Sequence, residues 1–111
     1  MAWNVIVFES SRGEMYVEEF IKTLDSSTIT KVIHTIDLLK KHGHLMSMPH
    51  AKKLNSHIYE LRVRGKQEIR ILYGFKSQNI YLLHGFKKQT QKTPAKEISI
   101  AMHRFAYLEL I

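Results

Sequence analysis

Two short stretches, HIYELRVR (residues 57–64) and EIRILYGF (residues 68–75), alternate side-chain character with a period of two, which commits them to extended strands. In the first, Tyr59, Leu61 and Val63 face one way and Glu60, Arg62 and Arg64 the other. In the second, Ile69, Ile71 and Tyr73 take the apolar side and Arg70 the opposite one. A turn centred on Gly65-Lys66-Gln67 pairs residue 61 with 71 and residue 62 with 70, so Arg62 and Arg70 stand side by side across two strands. Like charges placed directly opposite destabilise a sheet. The register therefore calls for an anion between them, either Glu60 from the same strand or something that binds. A third strand, Ile80 to Phe86, follows the short loop around Ser77-Gln78. Whether His84 joins the arginine face is left open by the loop length, because a slip of one residue turns every side chain over.

The rest of the chain reads as helices and one more strand. Trp3 to Phe8 is β-branched and aromatic, suited to a first strand. Ser11 and Glu14 have capping-box spacing, and Val17, Phe20, Ile21 and Leu24 follow at helical intervals. Asp25-Ser26-Ser27 breaks and recaps the chain, after which Ile29, Val32, Ile33, Ile36 and Leu39 form a second apolar stripe. Lys40, Lys41 and His42 complement its C-terminal dipole, and Gly43 suits a left-handed cap. Residues 44–55 read as a loop. Thr93 is the expected N-cap of a last helix with Pro94 at its first position, its apolar side formed by Ile98, Ala101, Met102, Phe105 and Leu108. The expected order is β-α-α-β-β-β-α, an α+β fold with a helical hairpin on one face of a mainly antiparallel, twisted sheet. With 111 residues and 44% hydrophobic content, one domain spanning 1–111 is expected.

Charge narrows the partner. The formal net charge of +7 divides into −3 over residues 1–37 and +10 over residues 38–111, an asymmetry that points to a polyanion such as RNA or DNA, or to an acidic protein. The chain has no cysteine, which removes disulfides and thiolate metal sites and fits a reducing cytoplasm. The apolar run Val5 to Phe8 is too short for a signal peptide or a membrane span, so a soluble, cytoplasmic protein without a membrane partner is expected. His42, His44, His50 and His57 match no familiar zinc spacing, and His34 and His103 fall within helices as structural or surface residues. Met46 and Met48 are expected to pack the loop on the core. No metal or other cofactor is expected.

The basic residues concentrate around the arginine face. Lys52 and Lys53 precede the second strand, while Lys87, Lys88 and Lys92 follow the fourth. Lys92 and Thr93 also lead into a helix N-terminus, whose free N–H groups favour anions. With Gln89, Thr90 and Gln91 as neutral donors, the segment after the last strand suits a nucleic-acid backbone. Such a site can cleave RNA without a metal: a base takes the proton of the 2′-hydroxyl, which attacks phosphorus, and cations stabilise the charge developing on the phosphoryl oxygens. The base is left open among a lysine with a lowered pKa, His84 and Glu60.

The segments KKLNSHIYELRVRGKQEIRILYGF and IYLLHGFKKQTQKTPAKEISIA together resemble the phage-derived, HigB-like branch of the RelE/ParE toxin superfamily, with ELR, RILY and HGFKK-x-x-x-KTP in matching order and spacing. The resemblance implies a RelE-like fold and a toxin of a type II toxin-antitoxin system. By the same resemblance it is a ribosome-dependent mRNA endoribonuclease that inhibits translation. Its implied partners are the ribosome, mRNA and a cognate helix-turn-helix, HigA-like antitoxin that alone contacts operator DNA. Carried over by position, Arg62 becomes a transition-state cation, Arg70 a supporting one, Lys87 and Lys88 phosphate ligands, and Lys52 or Lys53 a base or RNA contact. Arg64, Lys92 and Thr93 join the RNA-binding set. Where RelE-like enzymes carry an aromatic or imidazole side chain, this chain reads Lys92-Thr93-Pro94, which makes His84 a substitute base. ParE-like relatives share the fold but poison gyrase, so a gyrase-directed toxin is the alternative, and a non-catalytic nucleic-acid-binding module a further one.

Overall fold

The computed structural model describes residues 2–110; Met1 and Ile111, the ends of the expected domain, lie outside the described residues. A strand β1 (Asn4–Val7) leads to helices α1 (Tyr16–Lys22) and α2 (Ser26–His42), and a single 3-10 turn, Gly43–Leu45, follows. Four strands, β2 (Ala51–Lys53), β3 (Tyr59–Val63), β4 (Ile69–Lys76) and β5 (Asn79–Lys87), then precede α3 (Ala95–Leu108). The five strands form one sheet ordered β1-β5-β4-β3-β2, parallel only between β1 and β5. The α+β class and the mainly antiparallel sheet are as read from sequence. The order differs by one strand: β2 lies in the segment read as loop, and it exists because Ala51, Lys52 and Lys53 pair with Leu61, Glu60 and Tyr59 of β3.

The hairpin register matches the alternation residue for residue, with Leu61 opposite Ile71 and Arg62 opposite Arg70. A tight turn at Ser77-Gln78, where Ser77 takes φ of 57°, joins β4 to β5. A bulge at Leu72/Tyr73 then shifts the pairing and sets His84 opposite Leu72. His84 thereby shares the arginine face.

The sheet separates two apolar clusters. On one face Leu61, Val63, Ile69, Ile71, Tyr73, Ile80 and Leu82 pack under Val17 of α1 and Val32 and Leu39 of α2. On the other, Leu72, Leu83 and Phe86 meet Ala101, Phe105 and Leu108 of α3. Each fully buried aliphatic side chain of this kind contributes roughly 1.5–3 kcal/mol. Gly74 lets α3 approach: a Cβ there would lie 2.8 Å from the Phe105 ring and 3.1 Å from the His57 carbonyl.

Several local expectations are corrected by the structure. Helix α1 starts at Tyr16 without a side-chain cap. It is Ser10, not Ser11, that holds Glu14, receiving the Glu14 N–H at 3.0 Å and donating to Oε1 at 3.0 Å. The buried stripe of α2 runs through Thr28, Val32, Thr35 and Leu39, which leaves Ile33 53% exposed; both threonines sit inward, and Thr35 returns its hydroxyl to the Lys31 carbonyl at 2.8 Å. Met46 packs on the core but Met48 is exposed, as is part of Met102. The N-cap of α3 is Pro94, and Thr93 lies before it. As expected, Asp25 caps α2 through the Thr28 N–H at 2.8 Å, and Gly43 closes it with φ of 53°. No helix among the described residues is long and apolar enough to cross a membrane.

Candidate functional site

Glu60 is the centre of the arginine face. It is fully buried, and its Oε1 receives the Arg62 Nε–H at 3.1 Å while lying 3.7 Å from Arg70 Nε. Its other oxygen accepts the Thr93 hydroxyl, which reaches it from the segment before α3. At 3.7 Å the Arg70 contact is Coulombic attraction without a hydrogen bond, and Arg70 Nε is buried without a hydrogen-bonding partner. The terminal nitrogens of Arg70 each find one acceptor: Nη1 meets the Ile69 carbonyl and Nη2 meets Glu68 Oε1, each at 3.1 Å. The arginine pair is thus no solvated ladder. Side-chain exposure is 12% for Arg62 and 3% for Arg70, because the chain after β5 and the start of α3 lie over them.

That overlay shapes a cleft of about 280 Å³. Strand β2 sets Lys52 opposite Glu60. From the far side, the Lys88 N–H bonds the Glu68 carbonyl at 2.8 Å, extending the β4–β5 ladder by one step. Lys52, Arg62, Lys88, Gln91 and Lys92 line the cleft, with Leu54 and Ile98 as apolar wall. Lys88 and Arg70 also border a shallower depression with Gln89 and Thr90. The Lys88 pKa is held below the ordinary lysine value, first by burial and then by Arg70, with Arg62 and Lys52 adding to the effect and Glu60 opposing it. Lys88 therefore feels the other cations of the face directly, and cationic side chains around the cleft outnumber the two carboxylates Glu60 and Glu68.

Of the residues expected to act together, the structure gathers Lys52, Arg62, Arg70, Lys88, Lys92 and Thr93. Lys53 borders the cleft but belongs to the opposite face by register, and its ammonium sits 5.8 Å from the centre of the Tyr59 ring. Lys87 pairs with Ile69 and so belongs to the helical-hairpin face, exposed and apart from Lys88. Arg64 stands on the rim, 3.9 Å from Glu68. His84 is on the correct face but outside the cleft, its Nε2 held by Glu97 of α3 at 2.7 Å. It belongs to a second polar cluster under α3, in which Arg104 donates to the Leu83 carbonyl at 2.7 Å and lies 4.0 Å over the Tyr16 ring. Tyr16 in turn donates to Glu14 at 2.7 Å, which lowers the Glu14 pKa and raises that of Tyr16. Glu68 escaped the sequence reading, although its spacing of two from Arg70 already put both on one face. Among the described residues no group of three or more histidines and carboxylates is arranged to hold a metal ion.

Chemically, the cleft offers an array of cations and the Gln91 amide beside one buried carboxylate that holds Arg62 by a hydrogen bond and attracts Arg70. Residues 19–106 match the family described as phage derived protein Gp49-like (DUF891). The chain belongs to that family. The match takes in α2, the whole β2–β5 hairpin system and most of α3, so every residue lining the cleft lies within the Gp49-like region. No curated protein matches the chain.

Proposed function

We propose that this Gp49-like protein is the toxin of a type II toxin-antitoxin system and acts as a metal-independent, ribosome-dependent mRNA endoribonuclease. The observation that carries the reading is the convergence of Lys52, Arg62, Lys88 and Lys92 on one cleft organised by Glu60, with Arg70 buried beside the same carboxylate. In this reading Arg62 neutralises the phosphoryl oxygens as the 2′-oxygen bonds to phosphorus and the bond to the 5′-oxygen breaks, and the buried Arg70 supports it through its field. Lys88, its pKa lowered by burial and by its cationic neighbours, accepts the 2′-hydroxyl proton in its neutral form. The leaving 5′-oxygen is protonated by water or by a neighbouring lysine. Glu60 does not compete for the role of base, since both of its oxygens are engaged by Arg62 and Thr93. His84 is held apart by Glu97. Lys52 and Lys92 hold the flanking backbone, and a helix-turn-helix, HigA-like antitoxin silences the toxin in the cell.

Mapping mRNA 5′ ends after brief induction tests this. Cuts at a constant position within codons are expected, and they disappear together with growth arrest in the Arg62→Ala/Lys88→Ala protein while its circular dichroism spectrum stays folded. Growth arrest without new 5′ ends, accompanied by DNA-damage signalling, would overturn the ribonuclease in favour of a gyrase-directed toxin.

A further inference from the structure

A second cavity, about 530 Å³ in volume, opens on the other side of Arg62, between α2 and the end of β3. Its ionisable lining is Lys31, His34, His50, Arg62 and Arg64, without a carboxylate among the lining residues. Lys31 reaches across it: a Cβ added at Gly65, next to Arg64, would lie 2.8 Å from the Lys31 ammonium. The Lys31 ammonium from α2 is therefore held against the backbone of the β3–β4 turn, over the groove. Its floor is apolar in effect. Thr30 and Thr35 spend their hydroxyls on the carbonyls of Ser26 and Lys31 within their own helix, and Pro49 and Val63 complete the lining. The backbone N–H of Arg62 bonds the His50 carbonyl at 2.8 Å, so the loop carrying His50 is fixed to the strand that carries the arginine of the cleft.

An apolar pocket with imidazoles at its sides and cations on its rim has the chemistry of a nucleotide site: bases stack on flat side chains, and phosphate meets lysine and arginine. Arg62 lines both cavities, and Arg64 lines this groove and the shallower depression beside Lys88, so the two arginines at the end of β3 stand between them. We propose that this groove is a second RNA subsite, holding a nucleotide next to the one bound in the cleft, with its base between His34 and His50 and its phosphate shared by Lys31, Arg62 and Arg64. The inference rests on the ribonuclease reading above and adds the direction in which the strand leaves the cleft.

The test uses the full chain and a fluorescent 2′-O-methyl RNA hexamer, which lacks the attacking hydroxyl, with an unlabelled 2′-O-methyl dinucleotide as competitor. Lys31→Glu/His50→Ala changes two exposed side chains. It is expected to weaken the hexamer by about tenfold or more and to leave the dinucleotide unchanged, whereas Lys52→Ala weakens both. If Lys52→Ala weakens both and the groove variant weakens neither, the second subsite is overturned and the cleft reading stands. If the wild-type chain binds neither RNA, the second subsite falls, and the cleft reading is decided by the 5′-end mapping. Poly-glutamate supplies the remaining arm: groove substitutions that abolish its binding while sparing the hexamer would make the groove a seat for an acidic polypeptide and overturn the RNA subsite.

Discussion

Glu60→Gln keeps the shape of the side chain but leaves Arg62 and Arg70 opposed across two strands with no anion between them. Breaking a buried pair on one side costs roughly 3–5 kcal/mol, and urea unfolding is expected to show a loss of that order with the slope unchanged. Thr93→Val removes one hydrogen bond to the same carboxylate and costs about 1–3 kcal/mol. Lys88 has its own signature. Because its folded pKa is depressed, the unfolded chain binds more protons between that value and the ordinary lysine value. Stability therefore rises with pH through this window and is flat for this group below it. On the proposed function, cleavage of ribosome-bound mRNA follows the same limb upward as Lys88 loses its proton. Lys88→Arg keeps the charge but cannot deprotonate, so a loss of about 100-fold or more is expected, with the limb abolished; full activity in Lys88→Arg would assign the proton transfer elsewhere. Period-two spacing made the Glu60, Arg62 and Arg70 group readable before any coordinates. Thr93 was not readable as the Glu60 partner, because that contact joins residues 33 positions apart through the path of a loop.

Among elements, α3 depends on the bare position at Gly74. Gly74→Ala drives a methyl into Phe105 and the His57 carbonyl and is expected to destabilise by about 1–3 kcal/mol. Phe105→Leu in the same chain returns part of this, a non-additivity that a double-mutant cycle by urea unfolding measures. The α2 cap gives a pH test: Asp25 is held at about 2 by its hydrogen bonds to Thr28 and Ser27. Its contribution is therefore complete above the unfolded carboxylate value and fades as pH falls through about 2. Asp25→Ala lowers the urea midpoint at pH 6, and the gap from wild type closes on acidification. Strong local signals carried most of the architecture: the alternation in β3 and β4, the Asp25 cap and Gly43. Strand β2 had no such signal, since Ala-Lys-Lys has neither alternation nor strand propensity and is extended only through its partner β3. The tilt of the α2 stripe toward Thr28 and Thr35 was hidden for a similar reason, a threonine with a satisfied hydroxyl packing as an apolar residue.

Across the whole molecule, the +10 charge of residues 38–111 against −3 in residues 1–37 would make RNA affinity, on the proposed function, an electrostatic quantity. For single strands the logarithm of affinity falls with a slope of about −0.7 per neutralised phosphate. A strand spanning both cavities is expected to give a slope of roughly −2 to −4 in anisotropy titrations from 50 to 300 mM salt, for about three to five phosphates, and Lys92→Ala reduces it by about one. That charge lay open in the composition; the gathering of Lys52, Arg62, Lys88 and Lys92 around one cleft came from the register and from the segment that crosses the sheet. The same crossing makes α3 a fastening. Thr93, just ahead of its N-cap, latches the carboxylate on which both guanidiniums depend, so a protein that levers this helix upward by its outer surface is expected to slacken the arginines without entering the groove proposed for RNA, and such inhibition would need no mimicry of the substrate.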